Sequence, residues 1–170
     1  MSEQAMLAIR HLAESDNETY FALWSYAIME HASYFRIASD DTSTKFIPTR
    51  FTADSFTLGA FSDSKLMGVV SVERDARKKM NHKALVFRMF VHPDAAGQGV
   101  GRQLLNHAIS QMMQLATVRY LYLTVLASNI RAIHLYSSLG FKEFAREPGA
   151  VQIGAQFVDE LQMARMLVQE

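Results

Sequence analysis

Within VHPDAAGQGVGRQLL (91–105), Gly97, Gly99 and Gly101 stand at alternate positions, although the 170-residue chain holds only eight glycines. An apolar run precedes them and a helical pattern follows. Strand, glycine turn and helix N-terminus together make a phosphate-binding geometry. The first N–H groups of a helix lack intrahelical partners, and the helix dipole is positive there. A tight turn with close helix–sheet packing would explain one or two glycines but not three alternating ones. A P-loop needs Gly-Lys-Ser/Thr, and no glycine here precedes a lysine. A Rossmann fingerprint needs G-x-G-x-x-G and an acidic residue about 20 positions on. The spacing here is G-x-G-x-G, and residues 95–142 contain no acid.

A second group lies downstream in NIRAIHLYSSLGF (129–141). Asn129 and Tyr136 are two helical turns apart and so share a face. Most tyrosines pack their rings in the core, but an unperturbed phenol, pKa about 10, is also a protonated donor at neutral pH. The six histidines show no tight ligand spacing, and there is no cysteine, so no metal site is expected.

The elements that must position these groups follow from periodicity. LAIRHL (7–12) reads as a strand, and NETYFALWSYAIMEH as a helix behind an Asp16/Asn17 cap. Residues 32–54 are irregular. SFTLGAF and LMGVVSVE form a hairpin around SDSK, and ALVFRMFV (84–91) is a buried strand ended by Pro93. The glycines open a helix with an apolar stripe of Val100, Leu104, Leu105, Ala108, Ile109, Met112 and Met113. Met112-Met113 and Tyr20-Phe21 read as core. YLYLTV (120–125) is a strand parallel to 84–91, completing a βαβ unit. A helix from Asn129 to about Leu139 ends at Gly140, with Phe141 making the accompanying apolar contact. FKEFARE and FVDELQMARM form a closing antiparallel pair around a Pro148-Gly149 turn. The fold class is α/β, loosely α+β: a mixed, mostly antiparallel sheet with a central parallel βαβ unit flanked by helices. One domain is expected over residues 1–170, with its core at about 7–168.

Composition narrows the partners. Lys plus Arg and Asp plus Glu are both 17, so net charge points to no nucleic acid or membrane. Residues 95–142 carry Arg102, Arg119, Arg131 and Lys142 without one acid, a formal +4 that the remainder offsets. That asymmetry suits an anionic ligand. The basic stretch ARKKMNHK (76–83) joins two strands and reads as a solvated loop. No secretory signal or run of roughly 20 apolar residues is seen, so the cytoplasm is the expected location.

The chain resembles the GCN5-related N-acetyltransferases. That family carries Q/R-x-x-G-x-G/A after a strand ending in Val-x-Pro, which MFVHPDAAGQGVG fits with Gly99 and Gly101 at the required glycines. Its second signature, N-x-x-A-x-x-x-Y-x-x-x-G-F, is complete in Asn129, Ala132, Tyr136, Gly140 and Phe141. The resemblance implies an acyl-CoA N-acyltransferase-like fold and acetyl-CoA as co-substrate. Pyrophosphate would be held by backbone N–H groups of Gly97, Gln98, Gly99, Val100, Gly101 and Arg102. Met89, Phe90 and Val91 would meet the pantetheine arm, and Asn129 would contact the cofactor. Tyr136 would be the general acid for the leaving thiolate after direct attack by a primary amine of a small molecule or protein.

Ala96 stands where the family has Gln or Arg, so weakened cofactor binding is expected, with Arg102 as a substitute charge. Glu73, His82 and His92 are candidate bases by position only, and the base is unassigned. The acceptor would touch residues from about 17 to 54 and the 148–156 turn. A homodimer is compatible with this reading. The alternative is a non-catalytic acyl-CoA-binding regulatory module.

Overall fold

The computed structural model describes residues 7–41 and 46–167. Residue 168, the expected end of the core, lies outside them. The order is β1 (Leu7–His11), α1 (Asn17–Glu30), β2 (Ser55–Ser62), β3 (Lys65–Arg74), β4 (Lys83–Val91), α2 (Val100–Met113), β5 (Tyr120–Leu126), α3 (Ile130–Ser138), β6 (Lys142–Ile153) and β7 (Gln156–Met166). The seven strands run β1-β2-β3-β4-β5-β7-β6. Only β4 and β5 are parallel neighbours, joined through α2 as the βαβ pattern requires.

The interior strand β3 is buried from Leu66 to Val72, because helices cover both faces of the sheet there. On one face Val100, Leu104, Leu105, Ala108 and Met112 of α2 join Tyr136 and Leu139 in the larger core. On the other, Tyr20, Leu23, Trp24, Ala27 and Ile28 of α1 pack with Leu66, Val69 and Phe90. Met113 leaves the expected stripe and is 40% exposed. It follows Met112 by one residue, or 100° of helix, which turns it away from the sheet. Phe21 is likewise half-buried rather than core.

Two local expectations are corrected. The Asp16/Asn17 pair does not cap α1 through its side chains. Asp16 accepts from the Arg10 guanidinium at 2.8 and 2.9 Å and from the Ala13 N–H at 2.8 Å. Asn17 Oδ1 accepts from Ile47 N at 2.8 Å, tying the irregular segment to the start of α1. Pro148-Gly149 is not the closing turn either. Both lie inside β6, where the register shifts between Glu147 and Val151 and Asp159 Oδ1 accepts from Gly149 N at 2.8 Å. The chain reverses at Gly154-Ala155, between the paired Ile153 and Gln156, with Gly154 at φ 61°. Glycine at the first central position is the requirement of a two-residue II′ hairpin. At the β2–β3 turn Asp63 and Ser64 both have positive φ, the I′ signature.

Candidate active site

β4 and β5 pair only at Lys83–Tyr120, Ala84–Leu121 and Leu85–Tyr122. Beyond Leu85 they part, although β5 stays paired with β7 as far as Leu126. A bulge in β4 accompanies the parting. Its register against β3 shifts between Val69 and Ser71, opposite Phe87–Phe90, and Arg88 has φ 49°. Such a bulge bends its strand and increases the local twist. The edge of β4 from Val86 to Val91 therefore faces a gap instead of a strand. Met89, Phe90 and Val91, the expected pantetheine contacts, all lie along it.

The glycine turn stands at the end of this gap, and its glycines do different work. Gly97 and Gly99 have φ 76° and 75°, and a Cβ on either would meet no atom within 4 Å. They supply a left-handed backbone and leave the space in front of it open. Gly101 is a packing glycine. A Cβ there would come to 3.0 Å from Met89 Cε and 3.1 Å from Leu135 Cδ2, so it lets α2 approach β4 and α3.

Gly99 is the N-cap of α2, and Gln103 N donates to its carbonyl at 3.0 Å as the first helical bond. The N–H groups of Val100, Gly101 and Arg102 are thus left without intrahelical acceptors. Gln98 turns its amide back to the Asp94 carbonyl at 3.2 Å. Arg102 donates to Ser138 Oγ at 2.8 Å, bridging α2 to α3. A cation in the first turn of a helix opposes the dipole unless an anion sits there.

The opposite wall is α3. Asn129 is its N-cap, with Oδ1 accepting from Ala132 N at 3.2 Å, which leaves its amide N–H₂ for other partners. At the C-terminus Gly140 has φ 86°, Phe141 N donates to the Tyr136 carbonyl and Gly140 N to that of Ser137. These are the two bonds of a Schellman motif. Its apolar contact is the Tyr136–Phe141 ring pair, 6.0 Å apart and edge-on. The cap therefore fixes the tyrosine ring. Tyr136 is buried, and desolvation pushes its pKa up to about 12. Its hydroxyl has no hydrogen-bond partner among the described residues, so this donor is uncommitted.

Of the three positional candidates for a base, Glu73 and His82 lie at the other end of the sheet. Glu73 pairs with Leu85 across the strands, accepts from Ser55 Oγ and bonds Arg50 at 2.9 Å. Six residues separate Leu85 from Val91, about 20 Å of strand. His82 precedes β4 beside Tyr120. His92 alone is near the gap, stacked on Tyr26 at 4.9 Å, with Nδ1 accepting from Asp94 N.

Sequence reasoning passed over two charged residues on the α1 face. Arg88, inside the bulge, stands 5.4 Å over the Trp24 ring and donates to Tyr20 Oη at 3.4 Å. Glu160 faces Leu126 at the end of β5, is 3% exposed, and pairs with Arg36 at 3.4 Å. A charge within a strand run, as in VFRMF and VDELQM, was the available signal.

A hollow of about 770 Å³ is lined by His11, Phe51, His107 and Gln111 among others, and lies apart from both glycine motifs. Among the described residues, no helix is long and apolar enough to cross a membrane. No group of three or more His, Asp or Glu in them could hold a metal ion.

A profile described as "Acetyltransferase (GNAT) family" matches residues 9–141, a span that holds both motifs. The chain belongs to this family. Among similar proteins of the family, the bS18-alanine N-acetyltransferase of Escherichia coli (strain K12) is 48% identical over 61 residues. That match spans 36% of this chain and 40% of that protein. The GNAT-family acetyltransferase of Streptococcus pneumoniae superposes with a TM-score of 0.87 at 25% identity, covering 96% of this chain and all of that one. YncA of Salmonella typhimurium, solved with its cofactor acetyl-CoA, has a TM-score of 0.81 at 19% identity, covering 97% and 96% of the two chains. The mixed seven-stranded sheet is thus the acyl-CoA N-acyltransferase-like fold of the family.

Proposed function

We propose that this GNAT-family chain is an acetyl-CoA-dependent N-acetyltransferase acting on a primary amine of a small molecule or protein. One observation supports the reading most: β4 and β5 part next to the N-terminus of α2, whose first N–H groups lack intrahelical acceptors, while the Tyr136 hydroxyl on α3 carries no hydrogen bond among the described residues. Acetyl-CoA bound there would supply a thioester acyl group. The N–H groups of Gly97 to Arg102 bind its pyrophosphate. The free edge of Met89 to Val91 pairs with the amide-bearing arm, as a strand edge pairs with any extended amide chain. Asn129 contributes its free amide N–H₂. The Arg102 charge offsets the missing side chain at Ala96.

In the transfer the amine lone pair forms a bond to the acyl carbon, the C–S bond breaks, and the amine loses a proton to water. Tyr136 would present its Oη–H to the thioester sulfur. With its pKa near 12 against about 8.5 for an ordinary thiol, it serves chiefly as a hydrogen-bond donor to the departing thiolate and yields its proton late. Two measurements test the reading. Calorimetry should give saturable acetyl-CoA binding, and free-thiol release across an amine library should find an accelerated acceptor. The library holds amino acids, amino-acid amides, polyamines and alanine-initial peptides. Binding without release for any amine would point to the regulatory module instead.

A further inference from the structure

Arg88 occupies an uncommon position. Its φ of 49° lies in the left-handed region, costly for a residue with a long side chain and seen mainly where the surroundings enforce it. The bulge that forces this conformation also aims the guanidinium onto the α1 face of the sheet, where the Trp24 ring and Tyr20 Oη receive it. Tyr20 is 1% exposed within the α1 cluster, so the group that orients Arg88 is itself held by packing. Yet no carboxylate among the described residues pairs with Arg88. The contrast with Arg36 on the same face is direct, since Arg36 has Glu160. A half-buried cation whose only partners are a phenol oxygen and a ring is incompletely compensated.

A second, independent observation lies beside it. Two buried side-chain atoms among the described residues have no hydrogen-bond partner, Trp24 Nε1 and His31 Nε2. Both rings pack around Phe90 on the α1 face of β4. His31 is 5.4 Å from the Phe90 ring, and Trp24 reaches it through Phe35 at 5.1 and 6.3 Å. Trp24 is 3% exposed, and its N–H finds no acceptor among the described residues, which leaves the ring beneath Arg88 in an incompletely satisfied polar environment. Buried polar atoms are nearly always satisfied, and an exception calls for a physical account.

We infer that the Arg88 guanidinium, laid over the Trp24 ring, forms an oxyanion subsite for the acceptor, which is an amino acid whose carboxylate docks there while its amine reaches the gap. The inference rests on the acetyltransferase reading, because it takes the α2–α3 side of the gap as the cofactor's and the α1 side as the acceptor's. Arg presents a planar fork that matches a carboxylate in two parallel bonds. A polyamine, which carries only positive charge, is repelled by the same group. An internal or amidated carbonyl offers it no charge.

The test uses Trp24 as a built-in reporter, since it is the only tryptophan of the chain. The protein, with and without CoA, is titrated with each common L-amino acid and with its carboxamide while tryptophan fluorescence is read. CoA lacks the acetyl group, so binding is read without turnover. The expected result is a saturable change for at least one amino acid, with its carboxamide binding at least tenfold more weakly. Arg88→Met should weaken the acid at least tenfold, leave the amide unchanged and leave CoA affinity intact. Arg88→Lys should recover part of the loss.

Equal binding of acid and amide overturns the subsite, as does a complete lack of saturable change or an Arg88→Met variant that binds the acid normally. Turnover of spermidine or an alanine-initial peptide with no amino acid bound does the same. If Arg88→Met does not fold, the comparison of acid with amide in the unmodified protein decides. Failure of acetyl-CoA binding in calorimetry would instead remove the acetyltransferase reading and is visible separately.

Discussion

Tyr136 combines two roles that a single substitution can separate. Its ring closes the C-terminal cap of α3 against Phe141, while its hydroxyl carries no structural bond. Tyr136→Phe keeps the first and deletes the second. We expect kcat to fall about 10²-fold, the lower end of general-acid contributions because the phenol is a weak acid here, with acetyl-CoA affinity little changed. A folded variant with unaltered kcat would show that the hydroxyl takes no part. The same substitution has a pH signature. The folded pKa is near 12 and the unfolded value near 10, so the folded state keeps the proton longer. That contribution is fully present below pH 10 and is lost as pH rises toward 12. Thermal melts at pH 9 and pH 11 should therefore show the wild type losing stability relative to Tyr136→Phe. A constant difference would mean that the hydroxyl is not desolvated.

At the scale of elements, the N-terminus of α2 is shaped by left-handed backbone at Gly97 and Gly99 and by close contact at Gly101. A β-branched side chain at Gly99 would be strained at φ 75° and would confuse folding with binding. Asparagine tolerates that region. Gly99→Asn should therefore melt within a few degrees of wild type while its side chain occupies the open space before the helix. The expected consequence is an acetyl-CoA dissociation constant raised at least tenfold, about 1.4 kcal/mol. Unchanged affinity by calorimetry in the folded variant would take the phosphate away from this turn.

Across the whole molecule, charge and topology divide the two sides of the gap. The acid-free segment 95–142 contributes α2, β5 and α3. The buried Glu160 comes from β7 and lies on the α1 face. The parting of β4 from β5 leaves a strand edge unpaired inside the domain, and a ligand lying in it should restore pairing. Acetyl-CoA at 100 times its dissociation constant should then add about 2.7 kcal/mol to stability. In hydrogen exchange, the added protection should concentrate at 86–91 and 97–103. Protection spread evenly, or centred on the hollow beside His11 and His107, would place the ligand elsewhere.

Much of this was legible from sequence because it is local. Periods of two and 3.6 located the strands and helices closely, since burial on one face imposes its spacing on the chain, except that β6 runs on through the expected turn to Ile153. The alternating glycines and the N-x-x-A-x-x-x-Y-x-x-x-G-F run were readable because a left-handed turn and a Schellman cap constrain neighbouring residues. What only the tertiary structure decided depends on residues far apart in the chain. Asp16 and Asn17 look like a helix cap until Arg10 and Ile47 arrive to claim them. Pro148-Gly149 looks like a turn until Asp159 from the next strand holds Gly149 within β6. The gap exists because a bulge in β4 meets a β5 already fastened to β7, and no window along the chain contains all three strands. Arg88 reads as one charge in an apolar strand, and only the packing of α1 shows that its partners are a ring and a phenol.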